Sequence, residues 1–121
     1  MKLSQDSLKP IYIQIAEGIE DDILNGILRE NKQSYSQYQI AKQFCINPAT
    51  AAKGINLLVN EGILYKKRGM GMHVSVGAKK MIQTKRKELF YSTMLKSLLI
   101  EAKKLGISKD EIKVKMDSIN L

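Results

Sequence analysis

A single cysteine, Cys45, stands in the whole chain, so neither an internal disulfide nor a cysteine-built metal cluster can form. Histidine is equally scarce. His73 has no neighbouring Cys, His or carboxylate ligands, and one imidazole does not hold a metal. No apolar run is long enough to span a bilayer. The opening residues, Met1-Lys2-Leu3-Ser4-Gln5-Asp6, contain no apolar core of the signal-peptide kind. Internal repeats, low-complexity tracts and long linkers are missing. So are a nucleophile–base pair, a metal constellation and a phosphate loop, and Gly69-Met70-Gly71 is too short for a nucleotide-binding fingerprint. These absences point away from an enzyme, a cofactor and a membrane protein. The expectation is a soluble cytoplasmic protein with one domain's worth of chain in its 121 residues.

Positive charge is abundant and unevenly placed. The net charge is +8 and the sequence pI is near 9.6. Residues 1–30 carry three basic and six acidic side chains, residues 31–77 six basic and one acidic, and residues 78–121 eleven basic and five acidic. A basic domain is the electrostatic footprint of nucleic-acid binding, because neutralising phosphates releases counterions. A lysine-rich solvated surface would also look basic, so charge favours DNA only in combination with pattern.

The pattern is most informative between residues 47 and 74. Asn47 suits a helix cap and Pro48 the first helical position, where a missing N–H has no helical partner. The helix so opened buries Ala51, Ile55, Leu58 and Val59, shows Thr50, Lys53 and Asn56 on its other side, and ends at Glu61-Gly62. A short strand (Ile63-Leu64-Tyr65), a basic glycine turn (Lys66-Lys67-Arg68-Gly69-Met70-Gly71) and a second strand (Met72 to Val76) follow. A helix followed by a cationic two-stranded flap is the layout of a winged helix.

Two helices precede it. Pro10 opens the first, whose apolar face is Tyr12, Ile15, Ala16, Ile19 and Ile23 and whose end is Asn25-Gly26. Glu20-Asp21-Asp22 falls on its outer side and is expected to be solvated. Residues 27–35 lack a period and are expected to be a connection. Ser36 to Gln39 has capping-box spacing, and Ile40, Ala41 and Phe44 supply the inner face of a second helix. Cys45 is expected as a small residue of the core in the turn Cys45-Ile46-Asn47. His73, on an alternating strand, is expected to be structural.

Past the hairpin the composition changes. Lys79, Lys80, Lys85, Arg86 and Lys87 crowd together, in reach of a DNA backbone or simply exposed. Tyr91, Met94, Leu95, Leu98, Ala102 and Leu105 then form a helical apolar stripe ended by Gly106. A second tail helix starts at Ser108, with Glu111 at capping-box spacing, and presents Ile112, Met116 and Ile119. Neither helix has a large partner within the chain, so a second copy is expected to cover the stripe.

The order helix, helix-turn-helix, hairpin and short helical tail resembles the GntR family of bacterial transcription regulators, and the short tail is most similar to its YtrA-like subfamily. The resemblance is carried by Pro10-Ile11-Tyr12-Ile13-Gln14-Ile15, Asn25-Gly26-Ile27-Leu28, Ser36, Ile40 and Ala41. It continues through Ile46-Asn47-Pro48-Ala49-Thr50, Leu58, Glu61-Gly62-Ile63 and Arg68-Gly69-Met70-Gly71-Met72-His73-Val74. It covers residues 10–76 well and the tail only in length and helical character. It implies a mainly α fold with a small β-hairpin: a winged helix-turn-helix domain (1–77) and a two-helix dimerisation tail (78–121). It further implies a homodimeric repressor on a palindromic double-stranded operator, with transporter operons as targets; the tail is too short for the separate ligand-binding domain of larger members, which leaves open a small-molecule effector at the dimer interface.

The residues expected at the DNA are Ser36, Tyr38, Asn47, Ala49, Thr50, Lys53, Lys67, Arg68, Gly69 and Gly71, and those expected at the dimer contact are the six of the stripe. Four positions depart from the family pattern. Tyr38 stands where a DNA-contacting arginine is common and Ala52 where a basic residue is frequent. Cys45 replaces a common glycine and His73 a common aromatic. The missing basic residues motivate an alternative, a winged-helix protein-interaction module that no longer binds DNA.

Overall fold

A computed structural model describes all 121 residues. Helix α1 spans Ile11–Leu24, α2 Gln37–Phe44 and α3 Pro48–Asn60. Strands β1 (Leu64–Lys67) and β2 (Gly71–Val74) form an antiparallel hairpin, pairing Leu64 with Val74 and Lys67 with Gly71. Helix α4 covers Ala78–Leu89, a π-helical segment Phe90–Leu95, α5 Lys96–Lys104 and α6 Lys109–Ser118.

The first three helices form as their sequence signals require. The Pro10 carbonyl accepts the Ile13 and Gln14 amides at 3.1 and 3.2 Å and so starts α1. Ser36 caps α2 in a complete capping box: its hydroxyl accepts the Gln39 amide at 3.1 Å, and its own amide donates to Gln39 Oε1 at 2.8 Å. Asn47 caps α3, its Oδ1 accepting the Ala49 amide at 2.8 Å. Helix α3 ends in a Schellman motif, with Gly62 N–H donating to the Val59 carbonyl and Ile63 N–H to the Leu58 carbonyl.

Ile15, Ile19 and Ile23 of α1 meet Ile40 of α2 and Ala51, Ile55 and Leu58 of α3, with Ile63, Leu64 and Val74 closing the core from the hairpin side. Each of the Ile, Leu and Val side chains contributes about 1.5–3 kcal/mol on full burial, so this cluster holds the three helices and the hairpin together. Helices α1 and α3 pack closely at Gly54. A Cβ there would lie 2.7 Å from the Tyr12 carbonyl oxygen and 2.9 Å from Ile15 Cγ2.

Three features go beyond or against the sequence expectation. First, residues 27–35 form the expected connection, but it is tied to the hairpin. Asn31 N–H donates to the Val74 carbonyl at 2.7 Å, Val74 N–H to the Lys32 carbonyl at 2.9 Å, and Ser34 N–H to the Met72 carbonyl at 2.8 Å, so the connection runs alongside β2. A single isolated bridge pairs Gln33 with His73.

Second, the acidic cluster of α1 is not a solvated face. Glu20 and Asp22 are 2% and 5% exposed, and only Asp21 faces water. The Tyr35 hydroxyl donates to Asp22 Oδ2 at 2.6 Å, tying the 27–35 connection to α1.

Third, Cys45 is exposed rather than in the core. It caps α2 in the left-handed region at φ 54°, a conformation that crowds any side chain and favours glycine. Its place in the turn is therefore set by backbone geometry and not by packing.

The chain divides into two compact units, Met1–Gln83 and Thr84–Leu121. The break falls inside α4 because Ala78 and Ile82, both 0% exposed, belong to the core of the first unit. That unit thus extends past residue 77, where composition changes. In the second unit, the Ser92 and Thr93 hydroxyls both donate to the Leu89 carbonyl where the helix widens into its π turn. Ser108 and Glu111 cap α6 reciprocally, as their spacing predicts. No helix of the chain is long and apolar enough to cross a membrane.

Candidate nucleic-acid interface

Helix α3 presents its first turns to solvent. Asn47 and Ala49 are exposed, Thr50 is half-buried and Lys53 is exposed, while Ala51, Gly54, Ile55 and Leu58 face inward. The division follows from the helical period: the residues that hold α3 against α1 leave the opposite side uncovered. Asn47 spends its carboxamide oxygen on the cap, so its NH₂ group remains for an external acceptor. The Lys53 ammonium rests on the face of Tyr12, with Nζ 4.0 Å from the ring centroid.

The hairpin carries the second set of groups. Lys66, Lys67, Arg68, Gly69, Met70 and Gly71 are all exposed. The turn Arg68-Gly69-Met70 is closed by Met70 N–H donating to the Lys67 carbonyl at 2.8 Å. Gly69 and Gly71 have φ of 74° and 79°, so the tight reversal that projects Arg68 needs glycine at both positions. Gln33 Nε2 donates to the Met70 carbonyl at 3.3 Å, bracing the tip from the connection that runs beside β2. That brace and the backbone bonds from the connection to β2 were not legible in the sequence, because they are made by backbone groups and one polar side chain without periodicity.

At the start of α2, Ser36 accepts through its hydroxyl oxygen for the cap and keeps its hydroxyl proton for another acceptor. Tyr38 is 69% exposed, so the position at which the resemblance implies an arginine presents an unburied phenol. His73 is buried, 6% exposed, its Nδ1 3.3 Å from the Gly71 carbonyl and its ring 5.8 Å from that of Tyr65. It is part of the hairpin's packing. All ten residues expected at the DNA belong to the first compact unit, at the starts of α2 and α3 and at the hairpin tip.

Of the six stripe residues, Tyr91, Met94, Leu95, Leu98 and Leu105 are exposed. Ala102 is not: it is 6% exposed and lines, with Leu99, Ile107 and Ile112, a cleft of about 410 Å³ between α5 and α6.

The arrangement of three helices and a basic hairpin is shared with solved regulators. A crystal structure assigned to the GntR family from Bacteroides thetaiotaomicron superposes with TM-score 0.76 at 34% identity, over 90% of this chain and 95% of that one. The chain belongs to the GntR family of transcription regulators. Within that family most of its length aligns with the repressor YtrA of Bacillus subtilis, 29% identical over 112 residues, 93% of this chain and 85% of the relative. The repressor NagR of the same organism is 39% identical over 75 residues, which are 62% of this chain but only 31% of NagR. The chain is thus similar to short, YtrA-like GntR regulators, and spans about a third of longer members such as NagR. The DNA-binding domain of AraR, solved bound to its operator, has TM-score 0.54 at 28% identity over 62% of this chain and 90% of that domain. No family model matches the chain.

Proposed function

We propose that this chain is a homodimeric repressor whose two recognition helices read a palindromic operator. The observation that carries the reading is one unit that joins the exposed start of α3 to a basic, glycine-turned hairpin tip. The α3 residues Asn47, Ala49, Thr50 and Lys53 would enter the major groove, where the first turns of a recognition helix meet base edges. Lys67 and Arg68, set out by Gly69 and Gly71, would lie on or in the adjacent minor groove. Ser36 and Tyr38 would donate to backbone phosphates. The AraR domain, similar in fold, is seen on its operator, which supports this assignment.

The tail supports the dimer. Five large apolar or aromatic side chains stand exposed along one segment of Thr84–Leu121, and exposed apolar groups of that size mark a contact surface. The YtrA-like resemblance points to a transporter operon as the target. A second reading, an interaction module without DNA affinity, is favoured by Tyr38 and Ala52 alone.

Selection of bound sequences from random DNA, followed by affinity against salt by fluorescence anisotropy, decides between them. With six basic and one acidic residue in positions 31–77, affinity should fall steeply as salt rises. A flat dependence, or no binding at low salt, overturns the DNA-binding reading in favour of the second.

A further inference from the structure

Lys53 is placed by two neighbours. Its ammonium rests on the Tyr12 ring of α1 at 4.0 Å from the centroid, and not on a carboxylate. The next residue, Gly54, brings α3 so close to α1 that an added Cβ would sit 2.7 Å from the Tyr12 carbonyl oxygen. The backbone of Tyr12 is therefore pinned beneath the very turn of α3 that carries Lys53. The contact links the two helices by the stem and head of one lysine, a side chain that is otherwise flexible and strongly hydrated.

An ammonium group has three N–H donors. A ring face attracts its charge but occupies only one side. The outward hemisphere still has donors to offer, and the stacked position has already lost much of the side chain's rotamer freedom. A point charge fixed in this way suits a phosphate oxygen, which needs no fork geometry, better than a base edge, where discrimination rests on paired donors and acceptors.

From this geometry we infer that Tyr12 and Lys53 act as one phosphate-binding pair: Lys53 donates to a DNA backbone phosphate, and Tyr12 is a positioning residue that holds the ammonium without touching DNA. The inference rests on the DNA-binding reading above and assigns Lys53 to the backbone rather than to base recognition.

The test measures anisotropy on a duplex selected by the wild-type protein and on an unselected duplex of equal length. Lys53→Ala should weaken binding to both by the same factor and lower the salt slope by about one. Tyr12→Leu should weaken binding about two- to fivefold, the worth of an exposed cation–π contact. Tyr12→Phe keeps the ring face and should bind as wild type. Adding Tyr12→Leu to Lys53→Ala should cost nothing further.

Additive effects, a failure of Tyr12→Phe to match wild type, or a Lys53→Ala change confined to the selected sequence overturns the pair. If Tyr12→Leu does not fold, the Lys53 ε-methylene protons report instead. Ring currents should shift them upfield in the wild type and in Tyr12→Phe, and unshifted protons overturn the contact. Wild-type protein that binds neither duplex refutes the DNA-binding reading itself, whereas wild-type binding with a neutral Lys53→Ala refutes only the pair.

Discussion

A carboxylate inside a small domain must find donors, and at Asp22 the phenol of Tyr35 supplies one at 2.6 Å. Burial first, then the hydrogen bond and charge of Asp22, push the Tyr35 hydroxyl up to about 12 from its ordinary 10.0. The folded protein thus holds this proton more tightly than the unfolded chain does. Its stabilising contribution is complete below pH 10 and is lost as pH rises through about 12. Tyr35→Phe should lower stability at neutral pH by about 1–3 kcal/mol, since Asp22 stays buried and loses this donor, keeping only the Met1 ammonium at 3.9 Å. Urea unfolding at pH 7 and at pH 11 checks the sign: the gap between wild type and variant should narrow at the higher pH. An equal or wider gap there would remove the hydroxyl from the account. The same residues show why single side chains were the least legible part of the sequence. Asp22 reads as one more acidic residue of a polar run, and its partner lies thirteen positions away in a stretch without period.

Elements were legible wherever local chemistry announced them. Capping boxes at Ser36 and Ser108, Asn47-Pro48 ahead of α3, and glycines after three helices all stand where the residue types require. The pairing of the connection with β2 was hidden because Asn31-Lys32-Gln33-Ser34 has no alternation of apolar residues, and its place comes from backbone bonds to β2. The first turns of α4 were hidden by lysines, which leave only Ala78 and Ile82, four apart, to reveal the buried side. At the candidate interface the residue types could be read directly, but the bracing by Gln33 and the ring under Lys53 depend on tertiary approach. That approach is itself testable at Gly54. Gly54→Val should force α1 and α3 apart, costing about 1–3 kcal/mol as an overpacked core does, despite valine's better helix propensity. It should also weaken DNA binding by moving Tyr12 from beneath Lys53. Thermal melting with anisotropy on the same samples checks both; an unchanged or raised melting temperature would show that the two helices part without strain.

At the scale of the whole molecule, the decisive property is how many copies act together. The core of Met1–Gln83 is complete in one chain, whereas Thr84–Leu121 leaves Tyr91, Met94, Leu95, Leu98 and Leu105 uncovered. Water around five such side chains is an unfavourable arrangement that a second copy would relieve. The π turn at Phe90–Leu95 falls within the stripe and takes more residues per turn than an α-helix, so it offsets Tyr91 and Met94 from Leu98 and Leu105, and a two-fold contact would have to match that offset. Dimerisation also bears on DNA affinity. Two half-sites held in one particle bind as a linked pair, so losing the dimer reduces affinity far more than losing any one contact. Leu95→Glu with Leu98→Glu places charge on exposed positions and spares the first unit's core, so the variant should fold and sediment as a monomer. Its affinity for a palindromic duplex should fall by a factor of about 10² or more, while its affinity for an isolated half-site should stay near that of wild type. Sedimentation with anisotropy on both duplexes decides the matter. A variant that stays dimeric at micromolar concentration moves the contact away from Leu95 and Leu98, and a monomeric wild type removes the dimer from the mechanism altogether.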